Sequence, residues 1–245
     1  MGDLLVLWDV DYTLVNADGL GTRLYQDVFR ELFGRELPAV APKAGRTDRA
    51  ITLDTLELAS VDEPQAWVDD FLAALARRVA AIDGAATAHV RALDGAPAAI
   101  AALAGAGLRQ SVLTGNIRPL AALKLRAAGL GEHLDLDAGA YGDVHEVRAE
   151  LVPVARQAAR LVYGADFASD STVLVGDTPM DVAAALATGA RAVGVATGSF
   201  PVADLVSAGA HAVLPDLTDA ALVLAAVTGA FTGLAGGADR ARSRQ

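Results

Sequence analysis

Alternating strand-like and helix-like segments predict an α/β fold: a Rossmann-like parallel sheet core with helices on both faces and an inserted all-helical cap domain. Three observations carry this prediction. Residues 4–8 form an apolar run stopped by acids, the pattern of a strand buried on both faces. From Gly95 onward, short apolar runs alternate with segments of helical period, as in successive β-α units. Between them lies a helical block, with no convincing strand from residue 14 to residue 108, long enough for a lobe of its own. The implied organisation is a core from residues 1–15 and 94–232, a helical cap over 16–93 and a flexible tail over 233–245.

The elements follow in order. Residues 19–33 set Leu20, Leu24, Val28 and Leu32 on one helical face. A loop bearing Pro and Gly spans 37–46, and residues 47–59 and 63–81 predict two further helices. Thr47 and Asp48 stand where a helix cap belongs. Residues 96–106 predict a helix with Pro97 near its start, where its missing N–H costs nothing. A strand at 110–113, a helix at 119–128, a weak strand at 134–137 and a helix at 146–163 come next. The rest reads as strand 172–175, helix 180–188, strand 192–196, helix 203–208, strand 212–214 and helix 220–227. The final ADRARSRQ reads as a disordered tail, and no internal repeat is present.

Composition narrows the functions. The 245 residues can bury a substantial core. Much of the apolar fraction is alanine, 54 residues, so the larger apolar side chains are no more abundant than in an ordinary soluble chain. Cysteine is absent, which removes disulfides, thiol nucleophiles and sulfur-built metal sites. A net charge of −10 argues against general affinity for nucleic acid or an anionic membrane. The acids Asp3 and Asp9 near the start do not suit a signal peptide, and the uncharged stretch 220–238 is too poor in Leu, Ile and Phe to insert strongly. The expectation is a cytoplasmic protein, monomer or homodimer, that binds neither nucleic acid nor membrane. Of 20 basic residues 18 are Arg, so Lys43 and Lys124 stand out.

In a parallel sheet, ligands bind beyond the carboxyl ends of the strands, so the residues found there matter most. The first strand runs into Asp9-Val10-Asp11-Tyr12-Thr13, and alternation aims both acids the same way. Two close carboxylates repel unless a cation intervenes, which suits a metal ligand or nucleophile beside a general acid. The next runs into Thr114-Gly115-Asn116, where a hydroxyl and free amides at a helix entrance can cradle an anion. A third runs into Gly176-Asp177-Thr178-Pro179-Met180-Asp181, with two acids a helical turn apart, oxygen ligands suited to Mg2+. Each segment alone is equally readable as a capped turn. Together they put four acids, a hydroxyl and an amide at one sheet edge.

With DVDYT at 9–13, SVLTGN at 111–116 and GDTPMD at 176–181, the chain resembles the haloacid dehalogenase-like hydrolase superfamily, nearest its phosphoglycolate phosphatase-like members. The resemblance implies that Asp9 is a nucleophile forming an aspartyl-phosphate and that Asp11 is the general acid and base. It implies that Thr114, with Gly115 and Asn116, binds the phosphoryl group. Asp9, the main-chain carbonyl of Asp11, Asp177 and Asp181 would hold Mg2+. The family's further cation is expected to be Lys124, bridging Asp9 and phosphate, with Arg148 the other candidate. Tyr12 replaces a common Gly, and either lines the pocket or packs. In the cap, Arg46 is expected to hold a carboxylate or second phosphate of the substrate, and Thr47 and Asp48 to cap their helix.

The implied function is a Mg2+-dependent phosphatase acting on a small phosphorylated metabolite, with 2-phosphoglycolate the first substrate to consider. A phosphomutase or a phosphonate hydrolase on the same scaffold is an alternative, the latter with Lys43 as the one cap lysine. A 2-haloacid dehalogenase is another, although a leaving halide needs no proton and so no second acid such as Asp11. A non-catalytic phosphate-binding module is the reading of a different class.

Overall fold

A computed structural model describes residues 4–82 and 84–231. Five parallel strands form the sheet: β1 (Leu5–Trp8), β4 (Arg109–Val112), β5 (Thr172–Gly176), β6 (Arg191–Val195) and β7 (Ala212–Leu214). Their order is β4-β1-β5-β6-β7, so β1 lies between the strands that lead to the other two site segments. Register is tight, with Trp8 opposite both Val112 and Val175, so β1 and β4 end at one level and β5 one residue beyond.

Both faces are covered, which is why the strands read as continuous apolar runs. Val6 and Trp8 point to one side and Leu5 and Leu7 to the other. On the Val6 side pack α4 (Ala96–Gly105), α5 (Arg118–Ala127) and α9 (Ala220–Thr228). On the Leu5 side pack α6 (Leu151–Tyr163), α7 (Pro179–Ala187) and α8 (Val202–Ser207). Two polar side chains inside this layer are paired: the Trp8 indole N–H donates to Gln110 at 3.0 Å, and the Gln110 amide donates to the Ile100 carbonyl at 2.9 Å.

The helical block is α1 (Leu20–Phe33), α2 (Asp48–Leu58) and α3 (Pro64–Ala80). α1 buries Leu20, Leu24, Tyr25, Val28 and Phe29 along one stripe. Leu32, placed on that stripe from the sequence, packs only partly buried beside it. The Tyr25 ring meets Phe71 of α3 at 5.2 Å, and Phe33 meets Trp67 at 5.1 Å. α1 stops at Gly34, which takes the left-handed conformation that glycine allows at low cost.

Three local expectations are corrected. The block is not free of strand: β2 (Val15–Asn16) pairs antiparallel with β3 (Arg91–Ala92) where the chain leaves and re-enters the core. Two residues per strand give no periodicity to read. Residues 134–137 form no strand. The Asp135 side chain accepts the Asp137 N–H at 3.1 Å and starts a 3-10 turn, Leu136–Ala138, while the Asp135 N–H still bonds Gln110 of β4 at 2.9 Å. The helix expected from residue 146 begins as a 3-10 turn, Arg148–Glu150, before α6. The proposed tail over 233–245 lies outside the described residues. Among those residues, no helix is long and apolar enough to cross a membrane.

Gly95 holds the junction from the helical block into α4. Its φ is +82°, and a Cβ there would sit 2.1 Å from the Leu217 carbonyl oxygen. Gly95→Ala is expected to destabilise the protein by about 2 kcal/mol or more, the left-handed penalty plus the clash. The urea midpoint measures this, and an unchanged midpoint would refute the packing described.

Candidate active site

The β1 backbone delivers Asp9 and then turns sharply. The Asp9 N–H still bonds the Val175 carbonyl at 2.8 Å, and the Val10 carbonyl takes the N–H groups of Leu14 and Val15. Tyr12 occupies this turn at φ +59°, left-handed and unusual for a bulky residue. Its ring is half-exposed and lines the cavity, so it is no packing aromatic. The turn aims Thr13 inward, where its hydroxyl donates to Asp177 at 3.2 Å.

Asp177 and Asp181 arrive from β5 and α7. A capping box sets Asp181: its Oδ2 accepts the Thr178 N–H and hydroxyl at 3.1 and 2.7 Å, and its own N–H donates to Thr178 at 3.2 Å. Gly176 and Gly198 let the acids approach closely, since a Cβ at 176 would lie 2.3 Å from the Asp181 carboxyl carbon, and one at 198 would lie 1.8 Å from an Asp177 oxygen. Asp9, Asp177 and Asp181 thus converge, one oxygen of each within 4.8 Å of the others.

All three are buried. Two unit charges at that spacing repel by ~3 kcal/mol even at an effective dielectric of about 20. Burial, then Asp181 and Asp11, push the Asp9 carboxyl up to about 7 against the pull of Arg148. Burial and the charges of Asp9 and Asp181 push Asp177 up to about 8. Buried, mutually repelling oxygen donors fit a hard divalent cation such as Mg2+.

The two candidate cations divide the work differently from the expectation. Arg148 stands beside Asp9: its guanidinium donates to Asp9 at 2.7 Å and to Asp181 at 2.6 Å. Its buried Nε–H has no hydrogen-bond partner, a costly state. Lys124 pairs with Asp11, donating to both carboxylate oxygens at 2.7 Å and to the side-chain amide oxygen of Asn116 at 2.7 Å. The expected bridge from Lys124 to Asp9 is therefore corrected. Asp11 lies one pleat beyond Asp9, and a lysine on the second turn of α5 meets it first. Burial alone would raise Asp11, but the Lys124 ammonium and the bonds from Lys124 and Asn116 outweigh it and hold that carboxyl below its ordinary range. The Asp11 carboxylate is not one of the three clustered acids, and the metal expectation for Asp11 concerned its main-chain carbonyl alone.

Thr114, Gly115 and Asn116 come together as expected. The Thr114 hydroxyl, fully buried, accepts from the Asn116 N–H and side-chain amide at 3.3 and 2.8 Å, and that amide also donates to Asp11 at 2.7 Å.

The helical block roofs a cavity of about 380 Å³ over these residues. The expectation for Arg46 is corrected. Its guanidinium bonds Asp54 at 2.7 Å and the carbonyls of Pro42 and Ala50, so its charge is used inside the block. Lys43, three residues earlier, is the basic residue of the block that lines the cavity without an acid partner among the described residues. It donates to the Thr22 hydroxyl, and burial and the neighbouring Lys124 lower its pKa. Thr47 does cap α2, accepting the Ala50 N–H at 3.3 Å. Asp48 does not cap α2; it is a buried residue whose partners lie in α1 and at the start of α5. The segment 43–48 resembles a loop that relatives dip toward the active site, and Lys43, Arg46 and Asp48 do line the cavity. The rarity of lysine is a further signal for Lys43.

The fold has counterparts among known proteins. The family model for haloacid dehalogenase-like hydrolases matches residues 6–186. Among solved structures, a HAD family hydrolase from Deinococcus radiodurans R1 with bound phosphate and sodium is 28% identical, with 93% of this chain and 96% of that one covered and a TM-score of 0.51. CbbY from Rhodobacter sphaeroides in complex with phosphate is 18% identical, with 89% and 96% covered and a TM-score of 0.61. A hydrolase from Pseudomonas syringae is 20% identical, with 91% and 97% covered and a TM-score of 0.61. Among the curated proteins no sequence matches the chain. The chain belongs to the haloacid dehalogenase-like hydrolase family.

The raised carboxyls predict a pH dependence. Asp9 and Asp177 hold protons in the folded state to about 7 and about 8, against an ordinary value of 3.8. Between those limits the folded state binds more protons than the unfolded one, so stability without added metal falls as pH rises. Mg2+ that binds the ionised cluster should raise the melting temperature more at the upper end of this window than at the lower end. Melting curves with EDTA and with Mg2+ across the window check this. Equal shifts at both ends would contradict it.

Proposed function

We propose that the chain is a Mg2+-dependent phosphatase that hydrolyses a small phosphomonoester through an aspartyl-phosphate on Asp9. One observation carries the reading: a buried three-carboxylate cluster that includes Asp9 stands beside a second acid, Asp11, locked by Lys124 and Asn116. A cluster alone could be structural. A separate acid with its own cation and amide gives the site a proton-handling group next to a nucleophile.

Asp9, Asp177 and Asp181 would hold Mg2+, which when bound offsets the negative charge of phosphate and nucleophile. Asp9 attacks phosphorus, the bond from phosphorus to the leaving oxygen breaks, and Asp11 gives that oxygen its proton. Asp11 then takes a proton from water as the water attacks phosphorus. The Asp9–phosphorus bond breaks, releasing inorganic phosphate with Asp9 again a carboxylate and Asp11 again protonated, and Asp11 returns that proton to solvent as phosphate leaves. In the unliganded site Lys124 keeps Asp11 ionised, and an incoming phosphate dianion acts in the opposite sense, raising its proton affinity. Arg148 keeps Asp9 in place through a short charge-assisted bond, and Thr114 offers a hydroxyl at the phosphoryl pocket.

Asp11 favours an ester over a halide leaving group. The bound phosphate named for the Deinococcus radiodurans relative supports the same ligand class. Lys43 at the cavity wall supports a leaving group that carries its own negative charge, so 2-phosphoglycolate is the first compound to test.

With Mg2+ and a panel of small phosphomonoesters, phosphate release is expected from the wild type. Asp9→Asn should lower kcat by about 10³-fold or more, as loss of a nucleophile does elsewhere. Lys124→Met should lower it by about 10²-fold, since Asp11 loses its orienting cation. Activity retained in Asp9→Asn would overturn the nucleophile assignment. Transfer to a second hydroxyl without free phosphate would identify a mutase.

A further inference from the structure

The mechanism leaves one buried carboxylate of the cavity without a task, that of Asp48 in the first turn of α2. Its contacts cross from the helical block to the core. Asp48 Oδ2 accepts the Ile117 N–H at 2.8 Å, and Oδ1 accepts the Tyr25 hydroxyl at 3.0 Å. Ile117 is the N-cap of α5, and that helix has no side-chain cap of its own. In the other direction, the Asp48 N–H donates to the Gly115 carbonyl at 2.6 Å and the Arg49 N–H to the Gly142 carbonyl at 2.9 Å. The Asp48 carboxylate thus serves the N-cap amide of α5, and the loop carbonyls of Gly115 and Gly142 serve the first amides of α2.

The seam admits no side chain. A Cβ at Gly115 would lie 1.9 Å from the Arg46 carbonyl oxygen, and one at Gly142 would lie 1.8 Å from that of Gly115. Asp48 thus grips the backbone on both sides of Asn116, and Asn116 holds both Asp11 and Lys124. We propose that Asp48 is a positioning residue: docking of the helical block through Asp48 orders the Gly115–Ile117 turn, and the turn orients Asn116 and the Lys124–Asp11 pair. Only the kinetic part of the inference rests on the phosphatase reading.

The experiment uses the full chain with Asp48→Ala and Asp48→Asn. Amide hydrogen exchange at Ile117 is expected to accelerate about tenfold or more in Asp48→Ala, because the acceptor is gone. Asp48→Asn retains a side-chain oxygen and should retain most of the protection. Kinetically, kcat for an alkyl phosphate should fall about tenfold further than kcat for p-nitrophenyl phosphate, whose leaving group departs with little need of a proton. A residue that only holds the two parts together would slow both esters equally. Unchanged exchange in Asp48→Ala, or equal loss on the two esters, would overturn the proposal. If Asp48→Ala does not fold, Asp48→Asn carries both readouts with smaller changes of the same sign. If the wild type hydrolyses neither ester, the phosphatase reading fails, and exchange alone decides whether Asp48 orders the turn.

Discussion

Everything at the sheet edge answers one electrostatic constraint: three buried carboxylates, Asp9, Asp177 and Asp181, share a space in which their charges repel. Such a cluster persists only with compensation. Arg148 supplies part of it, reaching two of the three acids. The Thr13 hydroxyl supplies a hydrogen bond to Asp177, and the capping box of α7 supplies others to Asp181. Glycines at 176 and 198 supply the room. What remains uncompensated appears as raised proton affinity at Asp9 and Asp177. The same imbalance makes the cluster receptive to a divalent cation.

Asp11 illustrates the opposite treatment. It leaves the same strand two residues later, yet its carboxyl is held below the usual range while that of Asp9 is raised. The difference lies in neighbours, since Asp11 faces Lys124 and Asn116 while Asp9 faces other acids and shares its cation, Arg148, with Asp181. Divergent environments for adjacent acids separate nucleophile from proton carrier. The helical block completes this arrangement from above, because α2 meets the turn that carries Asn116.

The sheet was legible because buried parallel strands leave short apolar runs, and the site because Asp9, Asp11, Thr114, Asn116, Asp177 and Asp181 sit at strand ends in short motifs. Less was legible where three-dimensional placement decides. The two-residue strands β2 and β3 are too short for any period. Arg46 and Lys43 share one loop and one sign of charge, and only the position of Asp54 shows that Arg46 is already paired. Lys124 and Arg148 were both visible as cations, but which acid each would meet depends on how α5 and the turn before α6 approach β1. Asp48 read as a helix cap because its partner, the Ile117 amide, lies 69 residues away in the chain.

The central claim, phosphoryl transfer to Asp9, has a direct test. The wild type mixed with Mg2+ and a phosphomonoester is quenched during turnover, reduced with borohydride and mapped by mass spectrometry. Reduction of an aspartyl-phosphate leaves homoserine at that position, and the account predicts this change at residue 9. Turnover with no change at residue 9, or with phosphate on a different side chain, would contradict it.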